Sequence, residues 1–169
     1  MKLILVRHAT AIIGSANRYL TVDGRVFFRK TARTMVKTGI RPDLILTSPL
    51  VRAVQTADIL AEALSYSGPL VVTDDLKTGF DMRELGKLLN DCREIEELVL
   101  VGHEPDMSGL AASFLAMDER FDFEKGTALQ LKINRNDFQV PATFKWLASG
   151  KKLITSRKLA FLPLFQLNS

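Results

Sequence analysis

Four short runs rich in β-forming residues, KLILV (2–6), DLILTS (43–48), PLVVT (69–73) and ELVLVGH (97–103), recur along the chain. The stretches between and after them, at about 21–38, 49–65, 81–93 and 105–117, carry apolar residues at helical spacing. A strand that is apolar on successive residues has no face to give to water, so it needs cover on both sides, and alternating helices supply that cover. The pattern predicts an α/β fold with a mostly parallel sheet between helices. Further on, TALQLKI (127–133) alternates apolar with polar residues and reads as a half-exposed edge strand, and FKWLA (144–148) reads as another strand. The final segment, LITSRKLAFLPLFQLNS (153–169), is apolar without a clear period and is expected to pack against the body.

At 169 residues, 47% hydrophobic and 25% charged, the chain is expected to form one globular domain spanning 1–169, and it shows no repeats or low-complexity tracts. Its one cysteine, Cys92, has no internal partner, and two histidines are too few for a zinc-type ligand cluster. No metal and no cofactor is expected. The cysteine count fits a reducing cytoplasm. Only four apolar residues separate Lys2 from Arg7, too few for a secretory signal, and no apolar stretch approaches the roughly 20 residues that span a bilayer. The predicted protein is cytoplasmic, with no membrane partner. Its formal charge of +4 is spread over small clusters at Arg25/Arg29/Lys30/Arg33 and Lys151/Lys152/Arg157/Lys158 without aromatic interleaving. That distribution suits an anionic substrate better than nucleic acid.

In open parallel sheets, ligands bind beyond the carboxyl ends of the strands. Arg7-His8 ends the first run, Thr47-Ser48-Pro49 the second, Thr73-Asp74-Asp75 the third and Gly102-His103-Glu104-Pro105 the fourth, so both histidines fall on one edge. In SPLVRAVQTA (48–57), Ser48 is placed to cap a helix with Pro49 at its first position, which puts Arg52 on the first turn. Pro105 marks a second helix start just after His103. Each feature has an ordinary structural explanation: strand-end arginines are usually solvated, and single histidines usually make structural hydrogen bonds. Their joint placement argues for a site.

Two arginines, two imidazoles and two helix N-termini suit a phosphoryl group. Guanidinium forks match phosphate oxygens, helix N–H groups favour anions, and a neutral imidazole with an ordinary pKa of about 6.5 is a competent nucleophile near pH 7. Such chemistry implies a covalent phosphohistidine intermediate.

The segment LVRHATA (5–11) resembles the RHG motif of the histidine phosphatase superfamily, SPLVRAVQTA is similar to that family's second-arginine helix, and LVGHEPDMSGLAA (100–112) to its second-histidine segment. RYLTVDGR (18–25) and the short length without an inserted lid resemble the SixA-type phosphohistidine phosphatases. The resemblance implies a phosphoglycerate-mutase-like three-layer α/β/α sandwich. It also implies His8 as nucleophile, Arg7, Arg52 and His103 as the phosphate pocket, and Arg18 as a further phosphate or substrate contact. Ala9 departs from the motif's usual glycine, and its methyl group restricts the backbone beside the nucleophile.

Relatives acting on phosphate esters commonly place a carboxylate after the third strand. Here TDDLKTGFDM (73–82) offers Asp74, Asp75 and Asp81, of which Asp75 is the candidate acid. Glu104 is read as serving the helix start. An alkoxide leaving group needs a proton, whereas a phosphoramidate with a protonated ring departs as neutral imidazole and asks less of the protein. The leading expectation is therefore a metal-independent phosphatase acting on a phosphohistidine protein. A phosphatase or mutase for a small phosphate ester is the alternative, and a non-catalytic phosphate-binding module is the third reading.

Overall fold

The computed structural model describes residues 1–14, 17–118, 121 and 123–161. Its parallel strands are β1 (Lys2–Arg7), β2 (Leu44–Thr47), β3 (Leu70–Val72) and β4 (Glu97–Gly102), connected by helices α1 (Val22–Val36), α2 (Val51–Leu64) and α3 (Met82–Asp91). A 3-10 turn (Asp74–Leu76) precedes α3, and α4 (Asp106–Phe114) follows β4. Three antiparallel strands complete the sheet, β5 (Thr127–Lys132), β6 (Thr143–Ser149) and β7 (Lys152–Ile154), with a short α5 (Arg157–Ala160) after them. The strand order is β3-β2-β4-β1-β5-β6-β7.

The central strands divide their side chains by shape. Leu3 and Leu5 of β1, Leu44 and Leu46 of β2, and Leu98 and Leu100 of β4 enter one core with Leu85 of α3 and Leu110 and Phe114 of α4. Their alternates, Ile4, Val6, Ile45, Val99 and Val101, enter the other core with Phe28, Ala32 and Met35 of α1 and Ala53, Ala57 and Leu60 of α2. Period-two strands between helices whose apolar residues recur every three or four positions bury both faces. The three layers follow from that.

Two expectations are corrected. β5 is no edge strand: it lies between β1 and β6, and only Lys132 of its six residues is exposed. Its polar residues point into packed surroundings, where Gln130 and Thr127 are buried. The edge falls to β7, a three-residue strand that the sequence pattern does not announce. The second correction concerns α2. Its N-cap is Leu50, without a side-chain cap, so Ser48 and Pro49 precede the helix, although Arg52 does lie in the first turn.

Of the final segment, residues 162–169 lie outside the described part. The rest packs in part: Ile154, Ala160 and Phe161 lie against the core, Phe161 meeting Phe121 edge-on with ring centroids 4.6 Å apart, and Arg157 donates to the Leu115 carbonyl at 2.5 Å, whereas Leu153 and Leu159 are exposed.

Candidate active site

Parallel register brings the histidines together. Arg7 of β1 pairs with Gly102 of the adjacent β4, so the next residues, His8 and His103, leave the sheet side by side. Their ring centroids are 5.1 Å apart. On the other side of β4, Thr47 pairs with Val101, which delivers Ser48 to the same edge.

His8 is 5% exposed and held in one tautomer. Its Nδ1–H donates to the Ala9 carbonyl at 2.7 Å, which leaves Nε2 with a lone pair that accepts from Arg52 Nε at 3.2 Å. Burial is the largest cause pushing the His8 imidazole down to about 3, with further lowering by His103, Arg52 and Arg7 against the opposing hydrogen bond to Ala9. His103 is pushed down to about 4, again chiefly by burial and then by Arg52, Arg18 and Arg7. Both rings are neutral near pH 7, as a nitrogen nucleophile needs to be.

The arginines arrive from three places. Arg7 ends β1 and donates through its terminal nitrogen to the Phe123 carbonyl at 2.5 Å. Arg52 stands on the first turn of α2, where burial and the charge of Arg18 lower its pKa. Arg18 comes from the segment between β1 and α1, which doubles back so that Ala11 bridges Leu20. The Gln55 side chain of α2 accepts from the Leu20 N–H at 2.8 Å and fastens this segment near Arg52. Arg18 Nε and His103 Nδ1 are buried without a hydrogen-bond partner among the described residues. Clustered guanidiniums repel one another, and buried polar atoms without partners are costly; an anion with several acceptor oxygens relieves both penalties.

Several supports carry no signature in the sequence. The Thr56 hydroxyl donates to the Arg52 carbonyl at 2.7 Å and accepts from the Ala9 N–H at 3.1 Å, tying the residue beside His8 to the first turn of α2. A polar residue four positions after Arg52, on the helix's buried face, was the available clue. Gly126, with φ of +74°, donates to the carbonyls of Arg7 and His8, both at 3.2 Å, from a loop far along the chain. Gly24 lets the Thr10 backbone lie against the start of α1, where a Cβ would collide with the Thr10 carbonyl. Ala9 itself keeps an ordinary backbone, since the non-glycine residues with positive φ among those described are Ser65 and Ala116. Its methyl group is fully buried, so the position does not demand glycine's conformational freedom.

The structure does not bring Asp75 into contact with this cluster. Asp75 is exposed on the 3-10 turn and accepts from the Thr73 hydroxyl at 2.8 Å. Its neighbours are also engaged locally, Asp74 with Lys77 at 2.9 Å and Asp81 as the N-cap of α3, accepting from the N–H groups of Arg83 and Glu84. Short-range turn and cap bonds hold these carboxylates where they are. Glu104 accepts from the Ser108 hydroxyl of α4 at 2.5 Å.

The depressed imidazoles have a consequence for stability. Each histidine binds fewer protons folded than unfolded between its folded value, about 3 for His8 and about 4 for His103, and the unfolded value of 6.5. Their contribution is complete above pH 6.5 and is lost as pH falls, at up to about 1.4 kcal/mol per pH unit per histidine. Urea melts at pH 7 and pH 4.5 are expected to show a lower midpoint at the acid pH, with a smaller loss in His8→Gln. Equal midpoints for the wild-type protein would contradict the burial of neutral rings.

An α/β sandwich with an arginine- and histidine-lined cluster at the carboxyl ends of its parallel strands defines the phosphoglycerate-mutase-like class. A profile of the histidine phosphatase superfamily, branch 1, matches residues 3–79. An uncharacterized protein of Picosynechococcus sp. is 35% identical over 117 residues, which cover 63% of this chain and 68% of that protein. The chain belongs to the histidine phosphatase superfamily. Its fold is similar to that of the protein histidine phosphatase SixA complexed with tungstate, with a TM-score of 0.79 at 20% identity over 89% of this chain and 97% of that one. It is also similar to the mycobacterial glucosyl-3-phosphoglycerate phosphatase, with a TM-score of 0.63 at 18% identity over 85% and 96% of the two chains. Among the described residues, no helix is long and apolar enough to cross a membrane.

Proposed function

We propose that this protein is a phosphatase that takes a phosphoryl group from the phosphohistidine of another protein onto His8 and releases it to water. One observation carries the reading: His8 is locked with Nε2 unprotonated, while the donor it meets there, Arg52, belongs to a cluster of guanidiniums. Arg52 Nε passes from His8 Nε2 to a phosphoryl oxygen, and the freed Nε2 lone pair forms the new N–P bond as the substrate's own P–N bond breaks, its electron pair returning to a ring that leaves as neutral imidazole. Water then attacks phosphorus, the His8 N–P bond breaks, and inorganic phosphate leaves with His8 restored. Arg7, Arg18, Arg52 and His103 hold the phosphoryl oxygens and offset their charge as the group moves.

The local engagement of Asp74, Asp75 and Asp81 favours phosphohistidine over an ester. A phosphoramidate with a protonated ring needs no proton from the protein to leave, whereas ester cleavage without a general acid forfeits about 10²–10⁴-fold in rate. The SixA protein that shares the fold is itself a protein histidine phosphatase. The mycobacterial neighbour acts on a phosphate ester, so the fold alone leaves the substrate open.

The test is a phosphohistidine peptide and an alkyl phosphate ester, glycerol 3-phosphate, assayed side by side, each with and without EDTA. The expected result is N–P hydrolysis faster than ester hydrolysis by about 10²-fold or more. It should be unchanged by the chelator, because no described group of three or more His, Cys, Asp or Glu residues is placed to hold a metal ion. Preference for the ester would assign the site to the alternative substrate class. Loss of activity on chelation, restored by magnesium or manganese, would overturn the metal-independent step.

A further inference from the structure

Ser48 is fully buried, and its hydroxyl oxygen stands 2.7 Å from His103 Nε2. The direction of that hydrogen bond decides which nitrogen of His103 carries the proton. The oxygen already accepts from the Leu50 N–H at 3.3 Å, and the hydroxyl hydrogen requires an acceptor of its own. Among the described residues, the acceptor within its reach is His103 Nε2. Were Nε2 protonated instead, two N–H groups would point at one oxygen and the hydroxyl hydrogen would have no described acceptor. His103 is neutral near pH 7, so it has one ring proton to place. With Nε2 accepting from Ser48, that proton lies on Nδ1, which is buried without a described partner in a ring acted on by three guanidiniums.

We propose that Ser48 is a positioning residue: by donating to His103 Nε2 it keeps the ring proton on Nδ1 and makes Nδ1–H the donor that meets a phosphoryl oxygen. The proposal rests on the reading of this cluster as a phosphoryl pocket. A ring with the opposite tautomer would turn a lone pair toward the phosphoryl oxygens and repel them.

Nitrogen-15 NMR of the wild-type protein at pH 7 reads the tautomer directly, since protonated and bare ring nitrogens resonate far apart. The chain has two histidines, so His8→Gln assigns both. The expected spectrum gives His103 a protonated Nδ1 and a bare Nε2, with the Nδ1 signal moving on addition of orthovanadate. In folded Ser48→Ala the preference for Nδ1–H should be lost and vanadate affinity should fall about tenfold. An Nε2-protonated His103 in wild-type protein that binds vanadate would remove the role of Ser48 alone. A wild-type protein that fails to bind vanadate would overturn the phosphoryl reading on which the proposal stands. Unchanged tautomer and affinity in Ser48→Ala would likewise overturn the proposal.

Discussion

His8→Ala is expected to abolish turnover, with a loss of about 10⁴-fold or more, as when a nucleophile is removed from a covalent mechanism. Rapid mixing of the wild-type protein with labelled substrate, followed by an alkaline quench, should trap label on the peptide that contains His8. A phosphoramidate survives alkali and is lost in acid, which separates it from an acyl phosphate on Asp75. The variant should trap none. The structural basis is the paired control of the ring: the Ala9 carbonyl takes the Nδ1 proton and burial keeps Nε2 bare well below neutrality. Label on Ser48 or Asp75, or turnover retained in the variant, would place the nucleophile elsewhere.

Arg52→Ala should weaken orthovanadate binding by about 100-fold while leaving the fold intact. Hydrogen bonds to charged groups contribute about 1.5–3 kcal/mol, and Arg52 has the geometry to lose more than one effect at once. It donates to His8 Nε2 and is the leading charge acting on His103. It is half-buried on the first turn of a helix whose core contacts are made by Ala53, Ala57 and Leu60 rather than by itself, so the thermal melt should change little. Arg52→Lys is expected to restore only part of the affinity, because an ammonium is a point charge without the two-pronged fork. Isothermal titration with vanadate checks both variants. Equal binding by Arg52→Ala would remove the residue from the pocket.

Ala9 shows why a departure from a motif has to be judged in three dimensions. In the sequence it stands where relatives usually carry glycine, but its backbone is not in the left-handed region and its N–H is bonded to Thr56. The methyl group lies within the core that includes Val6 and Phe28. Nothing in this geometry opposes the attack proposed for His8.

The alternation of strand and helix was settled by the sequence, because two-sided burial forces near-continuous apolar runs and helical cover forces a period of three to four. The arrival of His8 and His103 at one edge was also readable, since successive strand ends of a parallel sheet share an edge whatever their separation in the chain. Tertiary structure decided the rest. The alternation in β5 reads as an edge only when its neighbours are unknown, and β6 and β7 cover the side that the polar residues would otherwise turn to solvent. Ser48 looked like a cap because local sequence knows only its own helix. The imidazole that its hydroxyl meets follows β4 and is placed beside it by strand register. Asp75 is a candidate acid in the sequence because it follows the third strand, and only the structure shows that bonds to a residue two positions away hold it on an exposed turn. Phe123 and Gly126, which hold Arg7 and the backbone of His8, come from a loop with no local pattern to mark it. Periodicity reports what each segment buries; only contacts between distant segments determine which polar atoms meet.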